Sequence, residues 1–353
     1  MKQIPVILFG AGGVGSALLR QIVNGRSLHQ TRNQIQFNVV AVCDSRTWQF
    51  DPAGLSDQQL LDIVARKAQG EAVGEKRPSN LETLNVLASA GLENVVVVDI
   101  TAADGLEPVV DRALALDYGV VLANKKIFAG PFDGAQNYFN NPRVRHESTV
   151  GGGQPVIATL RYLLDSNDPV HEIEGQLSGT LGFICQQLDK GVAFSTAVAE
   201  AKARGFTEPD PREDLGGMDV MRKVMILGRM NGWPLQTSDI EVESLYTPEL
   251  ADLTVPEFMA AVSSLDKAIG QRVAEAKANG QVLRYLAHVQ DGKGTVGLKA
   301  IPASSGLANL KYISFRTDNY NDEALMICGK GAGVEMTAAG VVGDMVDLVR
   351  EVF

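Results

Sequence analysis

Short apolar runs alternate with stretches of helical periodicity along the first third of the chain. Val6 to Phe9 is apolar and is closed at once by Gly10. From Val14 to Val23 the apolar positions Val14, Ala17, Leu18 and Ile22 fall on one helical face. Phe37 to Cys43, Val95 to Ile100 and Val120 to Ala123 are further apolar runs, and Asp104 to Leu116 reads as helix. Strands that are apolar throughout, separated by helices, predict a parallel sheet covered on both faces. The polar stretch Ser45 to Gly91 carries helical pieces such as Asp57 to Ala68 and reads as a decorated crossover.

Near Gly151 the pattern changes. Val170 to Leu177 alternates like a strand with one buried face. Helical stretches follow at Thr196 to Arg204, Asp219 to Met230 and Pro256 to Lys277. Strands are expected at Val282 to Val289, Thr295 to Ala300 and Leu325 to Cys328, and the tail Thr337 to Val352 is again helical. Strands mixed with long helices predict a second, α+β domain, and 353 residues suit two domains.

Composition removes several function classes. A net charge of -10 argues against a general nucleic-acid binder. No apolar run approaches a membrane span, and Met1 to Val6 is no signal peptide. Cys43, Cys185 and Cys328 are scattered, as are His29, His146, His171 and His288, so no metal-ligand spacing exists and reduced thiols in a cytoplasmic protein are expected.

Gly10, Gly12 and Gly15 form G-x-G-x-x-G between an expected strand and an expected helix. The first glycine allows the tight turn, the second admits a pyrophosphate to the backbone, and the third packs helix on strand. Gly13 and Val14 complete the turn, and the helix N-terminus faces the phosphates. This predicts a Rossmann-type dinucleotide-binding domain. Asp44 ends the second strand, placed either to bind an adenosine ribose hydroxyl, which favours NAD, or to act as a turn or cap residue. Its distance from the glycines exceeds the usual spacing, which a polar insert at Asn24 to Gln36 would explain. Ser45 and Arg46 offer a hold for a 2′-phosphate, which favours NADP. Thr101 in Asp99-Ile100-Thr101 and Lys125 in Asn124-Lys125-Lys126 follow the third and fourth strands, at the edge where open α/β sheets bind ligands. Lys125 there either reaches a nicotinamide or is a solvated loop residue.

Residues 201 to 223 concentrate the remaining chemistry. Glu208, Asp210 and Asp214 lie in a Gly- and Pro-broken loop, and Asp219 and Lys223 are spaced to share a helical face. The competing reading is a solvated helix start, where acids suit the first turn. Thr180, in Ser178-Gly179-Thr180-Leu181, either caps a helix or offers a hydroxyl to a ligand. Gly151-Gly152-Gly153 before Gln154-Pro155 exposes backbone carbonyls.

In order along the chain, the glycine loop, the D-x-T, the A-N-K-K, the E-S-T-V-G-G-G-Q-P-V and the S-G-T-L resemble homoserine dehydrogenases. So do the run from Ala201 through Gly205, Asp210-Pro211, Asp214-Leu215, Gly217 and Asp219 to Lys223, and the closing Gly329 to Gly333 with Thr337 to Ala339. The resemblance covers nearly the whole chain. It implies interconversion of L-aspartate 4-semialdehyde and L-homoserine with NAD or NADP, in threonine, methionine and isoleucine biosynthesis. It implies a nucleotide domain over 1–150 completed by 334–353, and a domain over 151–333 that binds substrate and builds a homodimer through its sheet. Lys125 and Lys223 match the family's two active-site lysines, and Asp219 the carboxylate beside the second. Glu208 matches the acid that takes the substrate ammonium, with Asp214 and Thr180 beside it. A Na+ or K+ ion would lie on the backbone carbonyls of Glu147, Val150, Gly152 and Gln154. Some relatives add an aspartokinase before this region or a regulatory domain after it. Neither is expected here, and without them little inhibition by threonine is expected.

Two other readings fit parts of the pattern. Aspartate-semialdehyde dehydrogenase chemistry needs a cysteine nucleophile, but Cys43 ends the second strand beside the cofactor's adenosine end, and neither Cys185 nor Cys328 has an evident histidine partner. A cofactor-binding sensor on the same fold would have no use for both lysines and all four acids.

Overall fold

Strand β1 (Lys2–Phe9) has no alternation of burial from Val6 to Leu8, because it lies at the centre of a sheet with both faces covered. The computed structural model describes all 353 residues. The chain forms two units, Met1–Ile157 with Gly331–Phe353, and Ala158–Lys330.

In the first unit β1 is followed by α1 (Gly13–Leu28), β2 (Ile35–Cys43), β3 (Thr47–Phe50), α2 (Asp57–Ala68), β4 (Glu75–Lys76) and α3 (Asn80–Ala88). Then come β5 (Val96–Asp99), α4 (Glu107–Ala115), β6 (Gly119–Leu122), α5 (Lys126–Ala129), α6 (Phe132–Phe139) and β7 (Val144–Arg145). The sheet order is β4-β3-β2-β1-β5-β6-β7. The five strands from β2 to β7 in that order are parallel, and β3 and β4 extend the edge antiparallel. The chain leaves β1 towards β2 on one side and later reaches β5 on the other. The carboxyl ends of β1 and β5 therefore flank the crevice where such sheets bind ligands.

The segment Asn24 to Gln36 is not an insert. Helix α1 runs on through Leu28 and closes with a π-helical turn, His29–Asn33, before Gln34 reverses the chain at φ 57°. Arg26 holds this extension, donating to the Phe37 carbonyl at 3.0 Å and pairing with Asp57. The long spacing to Asp44 is thus a longer first helix. Helix α2 starts where the pattern put it, with a capping box between Ser56 and Gln59.

The second unit follows α7 (Val156–Asp165), which crosses the boundary. It contains β8 (Val170–Gly175), α8 (Gly179–Asp189), α9 (Phe194–Ala203), α10 (Arg212–Leu215), α11 (Met218–Met230), β9 (Ile240–Val242), α12 (Val255–Ala261) and α13 (Asp266–Ala278). Strands β10 (Gln281–Gln290), β11 (Lys293–Pro302), β12 (Tyr312–Thr317) and β13 (Leu325–Cys328) complete a mainly antiparallel sheet of order β13-β12-β8-β10-β11-β9. Leu283, Tyr285, Ala287 and Val289 of β10 share a core with Ile184 and Leu188 of α8 and Val224 of α11. The helix expected from Pro256 to Lys277 is broken. Val262–Leu265 tightens into a 3-10 turn, whose three-residue pitch puts the buried Val262 and Leu265 on one side.

Helix α14 (Val334–Val352) closes the first unit. Its Ala338, Val341, Met345, Leu348 and Val349 share the core of β1, β2 and β5. The buried Arg145 pairs with its Asp347 and Glu351.

Candidate active site and cofactor-binding elements

Two of the three motif glycines, Gly10 and Gly15, are required by what surrounds them. Gly10 has φ 112°, open only to glycine without strain. A Cβ on Gly15 would stand 2.0 Å from the Gly10 carbonyl oxygen, so helix and strand approach as closely as they do only because no side chain intervenes. Around Gly12 a Cβ would meet nothing within 4 Å, which leaves the α1 N-terminus open on that side. Ser16 N–H is bonded to the Gly12 carbonyl, and the first turn through Gly13, Val14 and Gly15 carries no acid. A helix start of this kind suits a pyrophosphate.

Asp44 is held in a turn. Its Oδ1 accepts from the backbone N–H of Arg46 at 2.8 Å and of Thr47 at 2.7 Å, and its Oδ2 pairs with Lys67 at 3.0 Å. Burial pushes its carboxyl up, but these donors together outweigh it and hold it well below the usual carboxylate range. Arg77 Nε donates to the Asp44 carbonyl at 2.6 Å. Asp44 is therefore a turn residue, whatever it offers a ribose, and the end of β2 is ringed by Arg46, Lys67 and Arg77. The sequence reading missed Lys67 and Arg77, since contacts 23 and 33 residues away leave no local signal.

At the next strand ends, Asp99 and Asn124 are buried and bonded to each other at 3.0 Å. Asn124 Nδ2 also donates to the Ala103 carbonyl at 2.9 Å, and Thr101 N–H donates to Asp99 at 2.9 Å. Burial raises the Asp99 pKa against these donors. The network, in which Asn124 Nδ2 also reaches the Thr101 hydroxyl at 3.4 Å, ties the β5 and β6 ends together, and Lys125 follows Asn124 as the N-cap residue of α5. Lys126 instead pairs with the exposed Asp104 at 2.7 Å.

The segment from Glu147 to Gln154 interlocks with the start of α14. Gly151 and Gly152 have φ 78° and 64°, and a Cβ on Gly152 would stand 2.0 Å from the Gly331 carbonyl oxygen. Glu147 N–H donates to Asp344 at 2.8 Å, and the Glu147 carboxylate accepts from Ile157 N–H at 2.7 Å. The Glu147 and Gln154 carbonyls accept from the N–H groups of Val150 and Val156 at 3.3 and 2.8 Å. A carbonyl oxygen has two lone pairs, so these bonds leave each able to take a cation as well. Asp344, like Lys67 and Arg77, is a residue that no local sequence pattern singles out.

In the second unit Lys223 is anchored twice. Its Nζ lies 2.6 Å from Asp219 Oδ2 and donates to the Leu177 carbonyl at 2.8 Å. Its side chain is 18% exposed against 42% for Asp219, so the pair is not simply a solvated helix start. Helix α11 begins at Gly217, where φ is 72° and a Cβ would stand 2.0 Å from the Tyr285 hydroxyl. The loop before it closes on itself, with Glu208 N–H donating to Asp214 Oδ2 at 2.8 Å. The Thr180 hydroxyl reaches both the Phe206 carbonyl, at 2.5 Å, and the Asp214 carboxylate, and its one proton serves one at a time. Burial raises the Asp214 pKa, and the charges of Asp219 and Glu213 push the same way. The fold thus gathers Thr180, Glu208, Asp214, Asp219 and Lys223 on α8, the 205–217 loop and α11. Asp210 stands apart, committed to Arg212 at 2.6 Å. Ser178, not Thr180, caps α8, by accepting from Leu181 N–H.

Two family models match the chain, "Homoserine dehydrogenase" over residues 155–346 and "Homoserine dehydrogenase, NAD binding domain" over residues 10–140. The homoserine dehydrogenase of Schizosaccharomyces pombe is 34% identical, with 99% of this chain and 96% of the relative covered. That of Paracoccidioides brasiliensis is 35% identical, with 99% and 98% covered. The chain also matches a bifunctional aspartokinase/homoserine dehydrogenase of Haemophilus influenzae at 34% identity, spanning 42% of its length. A Candida auris crystal structure of unknown function superposes with a TM-score of 0.88 at 29% identity, covering 100% of this chain and 99% of that one. A hyperthermophilic archaeal homoserine dehydrogenase in complex with NADPH shares the fold, with a TM-score of 0.76 at 23% identity over 99% and 98% of the two chains. With two family models that follow one another along its length and full-length relatives above 30% identity, the chain belongs to the homoserine dehydrogenase family of NAD(P)-dependent oxidoreductases.

Proposed function

We propose that the chain interconverts L-homoserine and L-aspartate 4-semialdehyde through the cluster around Lys223. The observation that carries this reading is the double anchoring of Lys223 beside Asp219, next to a loop that presents Glu208 and Asp214. Homoserine carries an ammonium, a carboxylate and a hydroxyl. Glu208 and Asp214 hold the ammonium, with Thr180 orienting Asp214. Lys223 takes the hydroxyl proton as hydride leaves the same carbon, and returns it in the reverse direction. Asp219 keeps the lysine in place. The nicotinamide cofactor, when bound, supplies the hydride acceptor. Gly10, Gly12, Gly13, Val14 and Gly15 carry its phosphates, Thr101 and Lys125 serve its nicotinamide end, and Asp44 and Arg46 its adenosine ribose.

Asp44 is already countered by Lys67 and two backbone donors, so its repulsion of a 2′-phosphate is reduced, and both NAD and NADP are expected to work. A Na+ or K+ ion on the carbonyls of Glu147, Val150, Gly152 and Gln154 would brace the glycine turn. Replacing it by a bulky organic cation should then lower activity. In this reading the cofactor role falls to residues 1–150 with 334–353, and the substrate role to 151–333. A homodimer built through the second sheet is checked by sedimentation. The proposed reaction belongs to threonine, methionine and isoleucine biosynthesis, and three unpaired cysteines suit a cytoplasmic enzyme.

The direct test is NADPH oxidation with aspartate semialdehyde in phosphate-free buffer. Formation of homoserine supports the reading. Turnover only with added phosphate would instead indicate aspartate-semialdehyde dehydrogenase chemistry. Two of the three cysteines speak against that alternative. Burial pushes the thiols of Cys43 and Cys185 up to about 12, far from a nucleophilic thiolate.

A further inference from the structure

The loop from Gly205 to Gly217 has one short helix, α10, and three glycines, two of them at positive φ. A segment of that composition has little stiffness of its own. Yet it carries Glu208 and Asp214. Thr180, Lys202 and the Leu245 N–H each make one bond to its backbone, and Arg212 makes the most ties, using its whole guanidinium. Nε donates to both Asp210 carboxylate oxygens at 3.0 Å, and Nη2 donates to Asp210 Oδ2 at 2.6 Å. Nη1 reaches the carbonyls of Leu250, Ala251 and Leu253 at 3.3, 2.5 and 2.6 Å. The guanidinium also lies over the Phe258 ring, 5.3 Å from its centroid. Its side chain is only 13% exposed.

We propose that Arg212 is a positioning residue that sets ammonium recognition by fixing the backbone carrying Glu208 and Asp214 against residues 250–253. The inference rests on the reading that Glu208 and Asp214 hold the substrate ammonium. The fork geometry is what matters. Asp210 and three carbonyls converge on one planar group, which a lysine cannot reproduce. Arg212 has no direct part in proton or hydride transfer. Its loss lets the loop drift, and a displacement of this kind costs binding more than chemistry.

The experiment measures kcat and KM for homoserine, and kcat/KM for its deamino analogue 4-hydroxybutanoate, in Arg212→Met, Arg212→Lys and Asp210→Asn. Misplacement on the scale of an ångström should raise the homoserine KM by about ten- to hundredfold in Arg212→Met. Cofactor KM and the analogue's kcat/KM should stay within about threefold, since neither involves the ammonium, and a tenfold change is 1.4 kcal/mol. Arg212→Lys should resemble Arg212→Met. Asp210→Asn, which keeps the shape and the carbonyl contacts, should shift KM the same way by less, and it decides the matter if Arg212→Met does not fold. An unchanged homoserine KM, wild-type behaviour of Arg212→Lys, or an equal fall for homoserine and the analogue would overturn the proposal. Glu208→Gln separates the two levels. If it leaves KM unchanged, the ammonium reading fails. If it raises KM while Arg212→Met and Asp210→Asn do not, only the positioning role fails.

Discussion

Asp214 shows how one half-buried side chain links stability to binding. Burial, and then Asp219 and Glu213, raise its pKa above that of an aspartate in the unfolded chain. Between the unfolded and folded values the native state binds the extra proton. Stability therefore falls as pH rises through that window, and the cost is fully present above it. Binding runs the other way, because an ammonium needs the carboxylate. The homoserine KM should rise as pH is lowered into the same window, at a higher pH than an ordinary aspartate would dictate. Asp214→Asn should raise KM at neutral pH and abolish this acid limb. A limb that persists unchanged in the variant would belong to another group. Asp44 makes a second residue-scale case. Asp44→Ala removes the charge that competes with a 2′-phosphate and releases Lys67, so the ratio of kcat/KM values should move towards NADP. No change in that ratio would mean that Asp44 serves only its turn.

Elements meet the site through their ends, and the glycines at those ends set the geometry. Gly217 starts α11 in the left-handed region, with the Tyr285 hydroxyl where a Cβ would be. Gly217→Ala should cost at least the left-handed penalty of about 1–2 kcal/mol, seen as a lower melting temperature, and should raise the homoserine KM through Asp219 and Lys223. A variant that melts and binds like the parent would show that α11 can shift its start freely. Local pattern made such ends legible. The strand-glycine-helix order around Gly10 and the four-residue spacing of Asp219 and Lys223 are both written within one turn or one helix. The partner of Arg212 at Leu253, 41 residues away, is not. Helix α3 lies in the stretch expected to carry helical pieces, but its bounds were not marked although Ser79 and Glu82 form a capping box. Strand β12 was missed although it was legible: Ile313, Phe315 and Thr317 alternate with Ser314 and Arg316, between a Ser-Ser-Gly and an Asp-Asn turn signal.

At the scale of the molecule, the chain's last helix completes the core of its first unit. Leu348 is fully buried there, and a Cβ on Gly119 of β6 would stand 2.5 Å from its side chain. Leu348→Ala should destabilise the first unit by about 2–5 kcal/mol in denaturant unfolding. A loss below about 1 kcal/mol would mean that α14 is only loosely docked. The tail's helical pattern was legible, but its destination was not, because an apolar helical face does not name the sheet that it covers. That destination came from the family resemblance. The alternation of strand and helix, by contrast, led to the parallel sheet on physical grounds alone, since strands apolar on both faces need cover on both sides.

The most direct measurement is turnover by Lys223→Ala, with cofactor affinity and folding measured on the same protein. Removing a group that handles the hydroxyl proton should lower kcat by about 10²- to 10⁴-fold. Cofactor binding should barely change, since Lys223 belongs to the unit without the glycine loop. If Asp219 and Lys223 are only an ion pair on a helix, their loss should cost about 0.3–0.5 kcal/mol of stability and leave kcat intact. A folded Lys223→Ala protein with near-normal kcat would contradict the assignment of Lys223 to the chemistry.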